Sequence, residues 1–379
     1  MRAEIDPFHA ISIGRLAYAL QAEGRSIIHM EYGQPSTGAP KAAIAVAHRV
    51  LDTDAMGYWE SPQLKDRLAK HYAEIYGVAV APERFILTCG ASPALVLALA
   101  SNFSPGDRVA LARPGYVAYR NSLKALHLTP VEMACGPEQR FQLTAAALAE
   151  VMPAPAGVII ASPANPTGTV IEPAEMAAIA KVCQERNIRI ISDEIYHGLS
   201  YTGPSRSMLE FAPDCLVVNS FSKYFSMVGW RLGWLVVPDD QTQRARAYMA
   251  NLFLTAPSLS QHAGLVAMDS REELEGHVAA YRENRALMLA ALPAMGLASI
   301  APPDGAFYIY ANIGHLTEHS LAFCESLLRD TGVAAAPGID FDPVNGGRFI
   351  RFSFAVSTPE VQEALRRLIP WFAVRPRLT

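Results

Sequence analysis

Cys215-Leu216-Val217-Val218-Asn219-Ser220-Phe221-Ser222-Lys223 is the stretch on which the fold turns. Its short apolar, β-branched start reads as a strand buried on both faces, and it breaks at once into hydroxyls and one lysine. Four other runs have the same form. Phe85–Thr88, Val109–Ala112, Gly157–Ala161 and Ile188–Ser192 each lead straight into turn residues or polar groups. From about Pro40 to Val237 such runs alternate with helical stretches. That alternation predicts βα units around a mostly parallel sheet flanked by helices, an α/β fold.

In open α/β sheets ligands bind beyond the carboxyl ends of the strands. The residues that follow the five strands, Cys89–Ser92, Pro114–Tyr116, Ser162–Gly168, Asp193–Tyr196 and Ser220–Lys223, are therefore expected to face one crevice. After a helix expected over Glu272–Leu292 the pattern changes. Gly305-Ala306-Phe307-Tyr308-Ile309, a helix near Ser320–Asp330 and a strand at Phe349–Phe354 predict a smaller α+β domain. The expected division gives residues 40–280 to a large domain and 281–379 to a small C-terminal one, with residues 1–39 joining the small domain.

Length and composition bound the function classes. A chain of 379 residues outgrows one small core, and 51% hydrophobic with 18% charged residues suits a compact enzyme. Thirty-two Lys and Arg against 36 Asp and Glu leave a net charge of −4, with no basic field to hold a nucleic-acid backbone. The five cysteines are scattered and odd in number, and read as free thiols in a reducing compartment rather than zinc ligands or disulfides. The first residues lack the apolar core of a secretory signal, and no apolar run is long enough to span a bilayer. A cytoplasmic location, with neither a membrane nor a nucleic acid as partner, is the expectation.

The strand-end residues carry the chemistry. Lys223, among hydroxyls and apolar neighbours, has the setting of a desolvated amine nucleophile, although a lone lysine is ordinarily a surface residue. Asp193 closes an apolar run where a carboxylate needs a cation or hydrogen-bond donors; helix capping or an arginine pair would also satisfy it. Gly90-Ala91-Ser92-Pro93 reads as a strand-to-helix turn with Ser92 at N-cap and Pro93 at N1, which leaves early backbone N–H groups for an anion, or simply makes a turn. Ser162-Pro163-Ala164-Asn165-Pro166-Thr167-Gly168 is a stiff loop that aims the Asn165 amide, or only a rigid turn. Arg231 and Arg351 are suited to grip phosphate or carboxylate, with surface ion pairs as the plain alternative. Tyr58, Tyr116 and Tyr196 offer rings and phenols, though most tyrosines merely pack. His197 has no partner at ligand spacing and reads as structural. A nicotinamide enzyme would need a G-x-G-x-x-G turn after a strand, and none is present.

Together these elements resemble the class I/II aminotransferases of pyridoxal 5′-phosphate (PLP) fold type I. The similarity runs from Tyr32-Gly33-Gln34-Pro35 to Arg351-Phe352-Ser353. It is most specific at Ser162–Gly168, at Asp193-Glu194-Ile195-Tyr196, and at Ser220–Lys223 followed by Gly229-Trp230-Arg231-Leu232-Gly233. The resemblance implies that Lys223 holds the cofactor as a Schiff base, Asp193 pairs with its pyridine nitrogen, and Asn165 and Tyr196 hydrogen-bond its phenolic oxygen. It implies a phosphate site built from Gly90, Ala91, Ser92, Ser220, Ser222 and Arg231, with Tyr116 stacked on the ring. Arg351 is similar to the arginine that clamps the substrate α-carboxylate, and Gly33 to a glycine lining the same pocket, near Asn165. Tyr58 resembles a tyrosine donated to the phosphate of a neighbouring subunit, which implies a homodimer with shared sites. Only Trp59-Glu60-Ser61-Pro62-Gln63 separates Tyr58 from Leu64, a shorter loop than the family usually has there.

By the same resemblance the activity is transfer of an amino group from an α-amino acid to a 2-oxo acid, with ping-pong kinetics through a pyridoxamine form. Lys223 would serve as base and then acid. Similar chains act as C–S β-lyases or cleave other Cα bonds, and a few are PLP-binding regulators fused to a DNA-binding domain for which this chain has no room. No second arginine for a dicarboxylate stands out, and Tyr32 and Phe307 are apolar candidates for the side-chain pocket. A neutral or aromatic substrate is expected.

Overall fold

The computed structural model describes residues 4–378. Its strands in chain order are β1 (Ile28–His29), β2 (Phe85–Thr88), β3 (Arg108–Arg113), β4 (Thr129–Ala134), β5 (Gly157–Ala161) and β6 (Arg189–Asp193). They continue with β7 (Leu216–Ser220), β8 (Gly233–Val236), β9 (Tyr308–Asn312), β10 (Val333–Ala334), β11 (Ala336–Pro337) and β12 (Phe349–Ser353).

Seven of them form the central sheet in the order β2-β8-β7-β6-β5-β3-β4. The neighbours from β7 through to β4 are parallel, whereas β8 runs antiparallel to both β7 and β2. The buried runs make this sheet because alternate residues serve opposite faces. Phe85, Leu87, Val158, Ile160, Ile190, Val217 and Trp234 enter one apolar core. Ile86, Ile159, Ile191, Leu216, Val218 and Leu235 enter the other. Each such aliphatic side chain, fully buried, contributes roughly 1.5–3 kcal/mol of transfer free energy.

Two expected strands shift by one residue. Pairing of Asp193 with Ala161 and Val218 draws it into β6, and pairing of Ser220 with Gly233 draws it into β7. The sheet gains β4 at its edge and β8 inside, which no run of the predicted type announced.

A third core belongs to the three-stranded antiparallel sheet β11-β12-β9. Ile13 and Ala17 of the first helix (His9–Ala22), together with Ile28 and Met30, pack into it beside Phe307, Ile350 and Phe352. The parallel pairing of β1 with β10 ties this early segment to the C-terminal part. The helix Arg271–Ala291 spans both regions, placing Leu274 in a core of the large sheet and Val278 and Tyr281 in that of the small one. Among the described residues no helix is long and apolar enough to cross a membrane.

Candidate active site

The carboxyl ends of β5, β6 and β7 open on a cavity of about 300 Å³ that the small sheet closes from the other side. Its wall includes Ala91, Ser92, Tyr116, Asn165, Asp193, Tyr196, Ser222 and Lys223 from strand ends and the turns that follow them, and Gly33, Arg231 and Arg351 from elsewhere in the chain.

Lys223 lies three residues beyond β7, and its Nζ donates to the Gly33 carbonyl. Burial, reinforced by the Arg351 cation and opposed by Asp193, pulls its ammonium down to about 8. Such an amine carries far more of the nucleophilic neutral form at neutral pH than an exposed lysine.

Asp193 ends β6 and is buried. The Tyr119 hydroxyl donates to Oδ2 at 2.6 Å and the Ile195 amide to Oδ1 at 3.1 Å. Burial pushes its carboxyl above the usual range, while those two donors and the Lys223 charge oppose the rise. A carboxylate held this way favours a cationic partner in the cavity.

The Tyr196 hydroxyl lies 2.6 Å from that of Tyr308. Asn165 accepts through Oδ1 from Nη1 of Arg351 at 2.9 Å, which assigns its Nδ2 as the free donor. Arg351, buried in β12, donates from Nη2 to the Glu31 carbonyl, and its buried Nε has no partner. Its hydrogen bonds thus reach only neutral oxygens, and its guanidinium lies 4.4 Å from the Tyr308 ring centroid and 4.8 Å from that of Phe341. A guanidinium in that state suits an anionic ligand.

The turn after β2 differs from the expectation. The helix spans Ala91–Asn102 with Gly90, not Ser92, at N-cap, and Pro93 is its third residue, not its first. Gly90 has φ +102, a conformation that side chains resist, and a Cβ there would stand 2.6 Å from Nη2 of Arg231. Close approach of Arg231 to the helix start therefore dictates glycine. It also brings a guanidinium to the N–H groups of the first turn, which have no intrahelical partners.

Ser220 is buried and off the cavity wall. Its Oγ accepts from the Ser222 amide at 3.1 Å and lies 2.9 Å from the Leu232 carbonyl, so it braces the turn that carries Ser222 and Lys223. Tyr116 lines the cavity, packed edge-on against Phe8 and Tyr119. Tyr58 lies elsewhere, 85% exposed.

Phe307 points away from the cavity into the small-sheet core, and its neighbour Tyr308 forms the wall instead. Adjacent residues of extended chain face opposite ways. Tyr308, Tyr119 and Phe8 are among the wall residues that sequence reading missed. Tyr308 sat inside the quoted Gly305–Ile309 segment, whereas Tyr119 and Phe8 carried no signal beyond being aromatic. His197 is structural as expected. Its ring bridges the Tyr76 hydroxyl and the Ser162 carbonyl, and burial pulls it down to about 3.

The family model for aminotransferase class I and II matches residues 25–368. This chain belongs to the class I and II aminotransferases. It is a PLP-dependent transaminase of fold type I, acting on an amino acid and a 2-oxo acid. It is 45% identical over 378 residues to the valine–pyruvate aminotransferase of Mycobacterium tuberculosis, covering 98% of this chain and 97% of that protein. It is 32% identical to the (5-formylfuran-3-yl)methyl phosphate transaminase of Methanocaldococcus jannaschii, over 96% of each chain. Among solved structures, an aminotransferase from Mycobacterium tuberculosis superposes with a TM-score of 0.95 at 45% identity, and the Thermus thermophilus aspartate aminotransferase with maleate at 0.91 and 29%; each covers 97% of both chains.

The residues present fit the cofactor of this aminotransferase. The cavity wall carries a helix start with an arginine beside a glycine that a Cβ would disrupt, together with a buried carboxylate and an amine of lowered pKa.

Proposed function

We propose that this aminotransferase moves the amino group of a small aliphatic α-amino acid, valine foremost, to pyruvate. The observation that carries the reading is Arg351, a buried guanidinium at the cavity wall whose hydrogen bonds reach only neutral oxygens. It suits the α-carboxylate. The other cations on that wall are Arg231, beside the helix start, and Lys223, so among the described residues none is left for a second carboxylate. Phe8, Tyr32 and Ile195 supply apolar surface there, and the name of the 45% identical relative points the same way.

In this reading the phosphate rests on the Gly90–Ser92 turn, Ser222 and Arg231, with Ser220 bracing Ser222. Tyr116 would cover the ring, Asp193 would pair with its nitrogen, and Tyr196 with the Asn165 Nδ2 would donate to its oxygen. PLP, when bound, supplies the sink for the electron pair left at the substrate Cα. Lys223 would hold the cofactor through its amine, and that amine, with its pKa lowered to about 8, would take the substrate Cα proton as base and hand it back as acid. Gly33 leaves room beside Tyr308, and Arg351 orients the substrate so that its Cα faces Lys223.

The reading also includes a homodimer in which Tyr58 reaches the partner's phosphate. Tyr58 and Leu254, at 85% and 59% exposure, line one shallow cleft and support a covered face. It divides the chain into residues 40–280 and 281–379, with 1–39 joined to the latter. Five free cysteines support a cytoplasmic setting.

Single-turnover absorbance of the loaded protein with valine, aspartate or phenylalanine, followed by product analysis, tests the substrate. Valine is expected to discharge the cofactor band fastest and to yield its 2-oxo acid, with pyruvate then restoring the band and giving alanine. A faster reaction with aspartate, or ammonia among the products, would overturn the reading.

A further inference from the structure

Tyr308 touches three parts of the site at once. On β9 it lies diagonal to Arg351 of β12, since Tyr308 pairs with Ser353 and Arg351 pairs with Tyr310, so both project from the same face. The Arg351 guanidinium stacks 4.4 Å from its ring centroid. Its hydroxyl lies 2.6 Å from that of Tyr196, with the two rings edge to face at 79°. The same hydroxyl fills the space beside Gly33, where a Cβ would come within 1.8 Å of it, and the Gly33 carbonyl accepts a hydrogen bond from Lys223 Nζ. Tyr308 is fully buried, so it cannot swing aside.

We infer that Tyr308 is a positioning residue that couples the two halves of the site, its ring seating the Arg351 carboxylate clamp and its hydroxyl donating to Tyr196. The inference rests on the function proposed above. Tyr196 has one hydroxyl proton. If that proton goes to the cofactor's ring oxygen, the phenol behind it has to supply the second hydrogen bond, and Tyr308 is the group in place to do so. A donor to a donor polarises it, so Tyr196 grips the ring oxygen more strongly with Tyr308 behind it than alone. That grip draws off negative charge that would otherwise hold the Schiff-base proton on Lys223, so weakening it raises the pKa of the lysine adduct. The ring contributes separately: a cation over an aromatic face is held in place, and in a desolvated cavity the attraction is strong.

Two variants separate the two links. Tyr308→Phe keeps the ring and drops the hydroxyl. In the loaded protein, absorbance titrated against pH is expected to show the adduct pKa raised, by less than Tyr196→Phe raises it, with KM for valine within about twofold of wild type. Tyr308→Leu drops both, and KM is expected to rise roughly 3- to 30-fold, the worth of the lost stacking, on top of the same pKa rise. An adduct pKa unmoved in Tyr308→Phe would sink the hydroxyl link, and a KM unmoved in Tyr308→Leu would sink the clamp link. Should the leucine variant not fold, Tyr308→Met keeps more of the volume without a ring and carries the same comparison. Failure of the function reading looks different, because there the wild-type protein itself forms no lysine adduct or leaves valine unconverted.

Discussion

At the scale of single residues, Lys223 and Asp193 show how burial prepares chemistry. Burial disfavours the charged form of each, and the structure offsets this at Asp193 with Tyr119 and Ile195 as donors, and at the Lys223 ammonium with the Gly33 carbonyl and the Asp193 charge, against which the Arg351 cation works. With an ammonium pKa of about 8, the neutral amine of the cofactor-free protein makes up half of the population at about pH 8 and is nearly saturated roughly one pH unit above that. The rate of PLP capture, followed by absorbance, should rise through pH 7 to 9 and level off; a rate still climbing tenfold per unit at pH 10 would mean the lysine is solvated. The stability contribution has the matching sign. A base whose folded pKa is depressed costs stability while protonated in the unfolded chain, so this cost is full below about pH 8 and fades as pH rises towards the ordinary lysine value. Lys223→Ala should remove both the adduct band and turnover.

At the scale of elements, the decisive device is the junction of β2 with the helix Ala91–Asn102. Gly90 there combines a left-handed φ with a Cβ site occupied by Arg231. Gly90→Ala should cost roughly 1–3 kcal/mol through backbone strain and displace the guanidinium. Cofactor affinity, measured by titrating PLP into the stripped protein, is expected to fall at least tenfold while the fold persists; unchanged affinity would mean that Arg231 does not serve the phosphate. The sequence reading placed the helix cap two residues late because Ser92-Pro93 has the composition of a cap. What moved it was a tertiary neighbour 141 positions away in the chain, Arg231. Strand β4 escaped notice for a related reason. As an edge strand carrying Pro130 and Glu132 it is only half-buried, so its sequence lacks the apolar run of the inner strands.

At the scale of the whole molecule, the cavity exists because two sheets with separate cores face each other, joined by the helix Arg271–Ala291. Lys223, Asp193 and Asn165 come from the large sheet's strand ends, and Arg351 and Tyr308 from the small sheet. The proposed dimer belongs to this scale too. Light scattering of the loaded protein should give twice the 41.1 kDa of one chain, and Tyr58→Phe should weaken cofactor binding several-fold without changing that mass. A loaded monomer at micromolar concentration would remove the role given to Tyr58.

Most of the large sheet and the order of its ligand-bearing turns were legible in the amino-acid sequence, because strands buried on both faces must be apolar runs and the groups that end them must face the crevice. Lys223, Asp193 and Asn165 could be singled out on that ground, and Arg231 by its guanidinium and by the family resemblance. Three things were decided only by tertiary contact: the choice of Tyr308 over Phe307 for the wall, the bracing rather than lining place of Ser220, and the hydroxyl that Tyr119 donates to Asp193. Local pattern reports which residues are buried. Which buried residue meets which depends on strand register and on how two cores pack across a gap, and no window of sequence contains both sides of it.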